Sequence, residues 1–375
     1  LLILVIAPGA ALNLVVLLSA LRHPVLLNSD FLAFWSFPRF AAAHPVRLLY
    51  DAGALQAFQK QLYPGFGSFY PYLYPPTLLL AIWWLRDFAF AQAQALWTVA
   101  GLVALAGAVR LWPQHRRVLL VALLASPAAL LSAATGETGF FTTSLMMAGL
   151  ALLPTRPRLA GIAFGLLTLK PQLGLLIPFF LLARGDWAAI MTAGLTAAAL
   201  VIASCLAFPP GLWAVWAHAL PIYQYQYFAG TNLNLNIIVT PAANLRSLGV
   251  PLTAAGAIQG LVSLAVIALV WLAARSTRHE RAMAALLAGS FIAVPHAYAY
   301  DTMPLVIAMS LCLTPRTPLW QGALGAILYA APLLLLTPLA PWFLYALPET
   351  LLFTIIITSS LQPSSLPAAS PKMSY

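Results

Sequence analysis

Residues 161–180 read GIAFGLLTLKPQLGLLIPFF, an apolar run with a single charge, Lys170, at its centre. About 20 apolar residues are what a helix needs to cross the ~30 Å hydrocarbon core of a bilayer. Pro171 interrupts this run directly after the lysine, because its ring removes a backbone donor and clashes with the preceding turn. Residues 159–184 therefore read as a pair of half-helices bent near Lys170-Pro171. At membrane depth such a bend is tolerated only where it lines a cavity. An ionisable side chain in that place is a functional candidate by default.

The rest of the chain repeats the pattern. Of 375 residues, 62% are hydrophobic and 7% charged, against roughly one quarter charged in soluble domains. No soluble fold buries that much apolar surface. The runs are long and rich in Leu and Ala, unlike the short alternating segments of a β-barrel, so the chain reads as an all-α polytopic membrane protein. Apolar segments recur near 1–21, 76–86, 91–111, 118–133, 139–153, 159–183, 187–208, 250–274, 282–300, 302–313, 318–336 and 341–358, which predicts about 10–12 spans. The first of them reads as a retained anchor, being too long for a signal-peptide core and lacking a small-residue cleavage site. No internal repeat is visible.

Residues 1–358 read as one transmembrane domain, followed by a polar Pro/Ser-rich tail over 359–375 that is expected to be disordered. Two stretches break the apolar rhythm. A first outer loop, 22–75, carries segments that read as amphipathic helices on the membrane surface, then the aromatic, Pro-rich tract YPGFGSFYPYLYPP. A second outer loop spans 209–249.

The net charge of +10 comes from 18 basic residues scattered between apolar runs. That distribution sets topology and argues against a nucleic-acid partner. Cys205 and Cys312 lie inside apolar runs and make no metal or redox pattern, so they read as core packing. Placing Arg110, Arg116, Arg117, Arg156, Arg158, Arg275, Arg278 and Arg281 inside puts five polar motifs on the outer side. They are Asn28-Ser29-Asp30, TGETG (135–139), Lys170-Pro171-Gln172, GTNLNLN (230–236) and PHAYAYD (295–301). This orientation makes residues 76–110 cross once, although they look like two helices.

Each motif has a structural and a functional reading. Asp30, one of only eight acids, is either the N-cap of a following helix or a general base beside aromatic residues. Asp301 at the end of PHAYAYD is a cap or a site acid, with His296, Tyr298 and Tyr300 offering hydrogen bonds at the same depth. Lys170 wants an anion, either a phosphate or a carboxylate, and Glu137 of TGETG is the evident carboxylate. Asn232, Asn234 and Asn236 are loop residues or partners for sugar hydroxyls. No P-loop, HExxH, GxSxG or zinc spacing is present.

In order, SDFLAFW, LLYD, YLYPPTLLL, TGETGFF, LKPQLGLLIPF and PHAYAYD resemble glycosyltransferase family 87, the DUF2029 family typified by polyprenol-phosphate-mannose-dependent α-1,2-mannosyltransferases. The resemblance covers roughly residues 28–310. It implies a GT-C helical bundle whose large first outer loop carries surface helices and a catalytic acid, a position that Asp30 matches. It implies transfer of a hexose, mannose in the typifying members, from a polyprenol-phosphate-linked donor to a lipid or glycan acceptor on the outer side of a bacterial inner membrane. Asp30 is then the base, and Lys170 with Arg246 or His296 meets the departing phosphate. Tyr74, Glu137, Gln172, Asn232, Asn234, Tyr300 and Asp301 are the substrate-binding candidates. No cofactor and no metal is required. Relatives usually read T-G-Q-N-G where this chain has Thr135 to Gly139, which brings an additional acid to the donor site. The competing readings are a lipid or solute transporter using Lys170, Glu137 and Asp301, and a silent membrane scaffold. A transporter leaves the long first loop unexplained.

Overall fold

The structure is a computed structural model that describes residue 11 and residues 30–64, 69–112, 116–229, 235–276, 278–313, 317–334 and 344–361. All but one residue of the expected first span, together with Asn28, Ser29, Asn232, Asn234 and nearly all of the expected tail, lie outside the described residues. Within them the chain is helical, with one isolated bridge between Ile238 and Tyr298.

After Asp30 come α1 (Phe31–Ala43), a 3-10 turn (Val46–Tyr50) and α2 (Ala52–Leu62). Then α3 (Pro76–Ile82) and a second 3-10 turn (Trp83–Asp87) lead to α4 (Phe90–Arg110). With 7 residues, α3 rises only about 10 Å. Only α4 is long enough to cross, which explains how 76–110 can make one crossing while holding two helices.

The helices α5 (Arg116–Leu124) and α6 (Pro127–Thr135) form one apolar pair bent by 54°. Pro127 opens α6 and the Ser126 side chain caps it, accepting from the Ala129 amide at 3.1 Å. Next are α7 (Gly139–Leu152), α8 (Pro157–Leu166), α9 (Ile177–Arg184), α10 (Trp187–Ala207), α11 (Leu212–Ala229) and α12 (Pro241–Ser247). The described bundle closes with α13 (Leu252–Ala274), α14 (His279–Ile292), α15 (Met303–Cys312), α16 (Leu319–Leu334) and α17 (Ala346–Leu361).

By length and apolarity, three described helices can cross a membrane, α4, α10 and α13, and the α5–α6 pair counts as a fourth if it is one span. The other apolar helices run 10–17 residues, because Pro and Gly cut the long apolar runs into shorter pieces. On α10, Met191, Leu195, Ile202 and Leu206 are each more than half exposed, Leu206 at 83%. A row of bare aliphatic side chains this long has hydrocarbon, not water, as its stable surroundings.

Close helix contact rests on small residues. Gly161 and Gly165, four apart on α8, press on Ala189, Thr192, Ala193 and Thr196 of α10. A side-chain carbon at Gly161 would collide with Thr192 Oγ1 and the Ala189 carbonyl. This is the small-xxx-small contact by which helices associate where no hydrophobic drive separates them from lipid. Gly149 on α7 takes the Phe164 ring of α8 in the same way.

The helix break expected at Lys170-Pro171 is present. Helix α8 tightens into a 3-10 turn (Leu167–Leu169), the backbone leaves helical geometry at Lys170, and a further 3-10 turn (Pro171–Gly174) precedes α9. The first loop differs from the expectation for α1. Its residues Phe31, Leu32, Ala33, Phe34, Ser36, Phe37, Pro38 and Phe40 are buried in the protein, so α1 is packed on most faces. Only α2 is one-sided, burying Leu55 and Gln59. In the second loop, α11 and α12 occupy much of the described stretch.

Arginines meet at the start of α14, the end of that helix away from residues 295–301. There Arg184 Nε lies 2.7 Å from Asp186 Oδ2, and Arg281 donates to the Ser359 carbonyl at 2.6 Å.

Candidate active site

A cavity of about 500 Å³ opens between the first loop and the broken helices. Asp30, Phe34 and Phe37 bound it on one side; Lys170, Pro171, Gln172, Pro295, His296, Tyr298 and Tyr300 bound it on the other. Ala33, Glu137, residues 69–71 and 73–75, Ile237 and, from α11, Trp216 and Leu220 complete the wall.

Each segment is held by specific bonds. The first-loop wall depends on Gln59, almost fully buried on α2. Its amide donates to the Tyr70 carbonyl at 2.9 Å and accepts from the Tyr70 amide at 3.1 Å. The Tyr50 hydroxyl donates to the Tyr74 carbonyl at 2.9 Å, and Trp216 Nε1 donates to the Leu73 carbonyl at 3.2 Å. Tyr72 is locked edge-on against Phe37, ring centroids 4.8 Å apart. Every one of these donors fixes an otherwise irregular backbone that lines the cavity.

The TGETG turn is shaped by Gly136, at φ 72°. A β-carbon there would strike the Phe31 ring, so only glycine brings this turn under α1. Gly139 likewise packs on Ser132 and on the Tyr300 carbonyl. The PHAYAYD segment is pinned by the Val239 amide donating to the Ala297 carbonyl at 2.9 Å and by the Thr240 hydroxyl donating to the Pro295 carbonyl at 3.0 Å. His296 meets Tyr298 edge-on at 4.6 Å, and Tyr298 stacks on Tyr300 at 4.9 Å.

Asp30 stands at the head of α1 but makes no capping hydrogen bond with its side chain, and it lines the cavity. The N-cap reading therefore fails on geometry. The same holds for Asp301: the residue capping α15 is Thr302, and Asp301 instead grips Lys170. The Lys170 ammonium lies 2.7 Å from Asp301 Oδ1 and 2.8 Å from Oδ2. It also donates to Thr138 Oγ1 at 3.2 Å, while Glu137 Oε2 is 3.9 Å away. The carboxylate partner of Lys170 is thus mainly Asp301 rather than Glu137. The bend at Lys170 and the turn before α15 bring their backbones together, whereas Glu137 turns back to accept from the Thr138 amide at 3.2 Å.

Two charges differ from the sequence reading. Burial, reinforced by the nearby Lys170 charge, pushes the His296 imidazole down to about 4. Both effects favour the neutral, hydrogen-bonding form of His296. Burial pushes the Glu137 carboxyl up to about 7, with the Lys170 charge opposing that rise.

Tyr74, Glu137, Lys170, Gln172, His296 and Tyr300 are brought together around Asp30, with Asp301 just behind Lys170. Arg246 is not. Its guanidinium turns back to the Val250 carbonyl at 2.8 Å and closes the end of α12. Thr138, Tyr70 and Trp216 were missed as site residues. Thr138 sits inside the motif already singled out, and Tyr70 within the aromatic tract. Trp216 has no local signal, because only the packing of α11 against 69–75 brings it to the cavity.

Outward-facing aliphatic helices around a broken-helix cavity define an integral, polytopic helical membrane protein with its polar site at one end of the bundle. The model of glycosyltransferase family 87 matches residues 72–295. That is more than half of the chain, and the chain belongs to this family. It is a membrane glycosyltransferase, acting between a sugar donor and an acceptor. The match includes Tyr74, Glu137, Lys170 and Gln172; Asp30, His296 and Asp301 fall outside it. No curated protein and no solved structure matches the chain.

Proposed function

We propose that the chain transfers a hexose, mannose by its family resemblance, from a polyprenol-phosphate donor to a hydroxyl of a lipid or glycan acceptor. Asp30 acts as the general base. The observation that carries this reading is that Asp30 and Lys170, 140 positions apart in sequence, line one cavity.

The acceptor O–H gives its proton to the Asp30 carboxylate as its oxygen attacks the anomeric carbon. The bond from that carbon to the phosphate oxygen breaks, and the electron pair leaves with the phosphate. A donor monoanion becomes a polyprenyl phosphate bearing one further negative charge, while Asp30 becomes neutral and later returns its proton to water. Lys170 faces the oxygen on which charge develops, where a preorganised cation contributes most. Neutral His296 and Gln172 supply hydrogen bonds. Aromatic side chains, Tyr70, Tyr74, Trp216, Tyr298 and Tyr300, suit the C–H faces of a sugar and exclude water. The arginines at the start of α14, away from the cavity, support an outward-facing cavity, in a bacterial inner membrane by family resemblance.

The test is incubation of the purified protein with radiolabelled polyprenol-phosphate mannose and a membrane lipid extract. Label moving to an acceptor fraction is the expected result. Flux of lipid or ions in proteoliposomes without such transfer would favour the transporter reading and overturn this one.

A further inference from the structure

We propose that Asp301 is a positioning residue for Lys170, and that by neutralising the ammonium it prevents the polyprenyl phosphate product from being trapped. The inference rests on the reading of Lys170 as the group that meets the phosphate.

Lys170 supplies the one Lys or Arg side chain among the described residues lining the cavity. Its ammonium is 2.7 and 2.8 Å from the two Asp301 oxygens. Asp301 is wholly buried, at 0% exposure, and is not part of the cavity wall. It therefore reaches a substrate only through Lys170. Its own backbone is set by a tight turn, in which the Asp301 amide donates to the Tyr298 carbonyl at 3.0 Å. Thr138 Oγ1 at 3.2 Å fixes the ammonium from a second side, and the Tyr300 ring faces it at 5.2 Å. The ammonium is thus held in place before any donor arrives.

The charge balance matters for turnover. Transfer converts a phosphodiester into a phosphomonoester carrying about −1.5 to −2 charge near neutral pH. An unpaired ammonium in a desolvated cavity would hold that product more tightly than the donor. Binding energy spent on the product does not lower the chemical barrier and delays release. With Asp301 in contact, Lys170 still offers N–H donors to the transition state, but most of its excess charge is cancelled.

The experiment compares wild type, Asp301→Asn and Lys170→Met, each purified in detergent, for equilibrium binding of a short-chain polyprenyl phosphate and for steady-state transfer. Asn keeps the size and an oxygen acceptor for the ammonium while removing the charge. In Asp301→Asn, polyprenyl phosphate should bind about tenfold tighter or more, with kcat and donor KM falling together. A purely structural loss would raise KM and weaken product binding. Unchanged or weaker product binding in Asp301→Asn, beside a wild type that binds it and a Lys170→Met that does not, overturns this inference alone. Wild type and Lys170→Met binding it equally overturns the phosphate role of Lys170, and this inference with it. Where Asp301→Asn does not fold, Lys170→Met decides against Lys170→Met/Asp301→Asn. Product affinities within about twofold of each other support action through Lys170, and tighter binding by the double variant overturns it.

Discussion

The two carboxylate oxygens of Asp301 sit 2.7 and 2.8 Å from the Lys170 ammonium, joining residues 131 positions apart. The pair is almost entirely buried, with side-chain exposures of 4% and 0%. Removing one partner of such a pair is costly, because it leaves a buried charge uncompensated. Lys170→Met should therefore lower stability by about 3–5 kcal/mol, in addition to weakening donor binding. Lys170→Met/Asp301→Asn, neutral on both sides, should recover much of the stability but none of the transfer. Thermal unfolding in detergent measures the first effect. A single variant as stable as the double would show that the pair is not an energetic unit.

Asp30→Asn separates base from scaffold. The Asp30 side chain makes no cap bond to α1, so helix stability should be unaffected. Transfer should fall by about 10²–10⁴-fold, the usual worth of a general base, with donor binding preserved. A well-folded variant keeping more than about a tenth of wild-type transfer, outside that range, would move the base assignment to Glu137.

Glu137 predicts a pH dependence. Burial pushes its carboxyl up to about 7 against the opposing Lys170 charge, with Asp30 and Asp301 adding to the rise. Below that value it is neutral; above it, a negative charge faces the donor phosphate. Donor KM should thus rise as pH increases through about 7, the direction set by like-charge repulsion. Glu137→Gln, which removes the charge and keeps the size, should hold KM near its low-pH value throughout. A wild-type KM that is flat or falls with pH contradicts this assignment.

Packing of α8 on α10 gives a prediction away from the cavity. Gly161→Val places carbon atoms against Thr192 and the Ala189 carbonyl. It should destabilise by about 1–3 kcal/mol or more, the cost of overpacking. Gly194→Ala on α10 meets open space and should stabilise by about 0.5–1 kcal/mol, the usual gain of Ala over Gly inside a helix. Denaturation midpoints of both variants check the contrast, and equal midpoints would refute the small-residue contact.

Orientation is open to labelling in intact cells. In a background lacking Cys205 and Cys312, an impermeant thiol reagent should label Gln61→Cys, exposed on α2, and spare Arg116→Cys. The reverse result would invert the membrane topology and place the cavity on the cytoplasmic side.

The amino-acid sequence by itself determined the class of the molecule. A chain with 62% hydrophobic and 7% charged residues can only bury such runs in a bilayer. Pro171 next to Lys170 announced the break in the helix, since proline cannot continue the hydrogen-bond ladder. The scarcity of acids drew attention to Asp30, Glu137 and Asp301, and all three are found at or directly behind one cavity. Local pattern carries this much because burial and backbone chemistry act on neighbours in sequence. What only the tertiary structure decided is which charges meet. The sequence pointed to Glu137 as the partner of Lys170, and it offered Arg246 as a second cation. Distances of 2.7 Å to Asp301 and 3.9 Å to Glu137 decide the partner, and the turn of Arg246 onto Val250 removes the second cation. Coulombic energy depends on separation and desolvation, and both arise only when segments far apart in the chain are packed together.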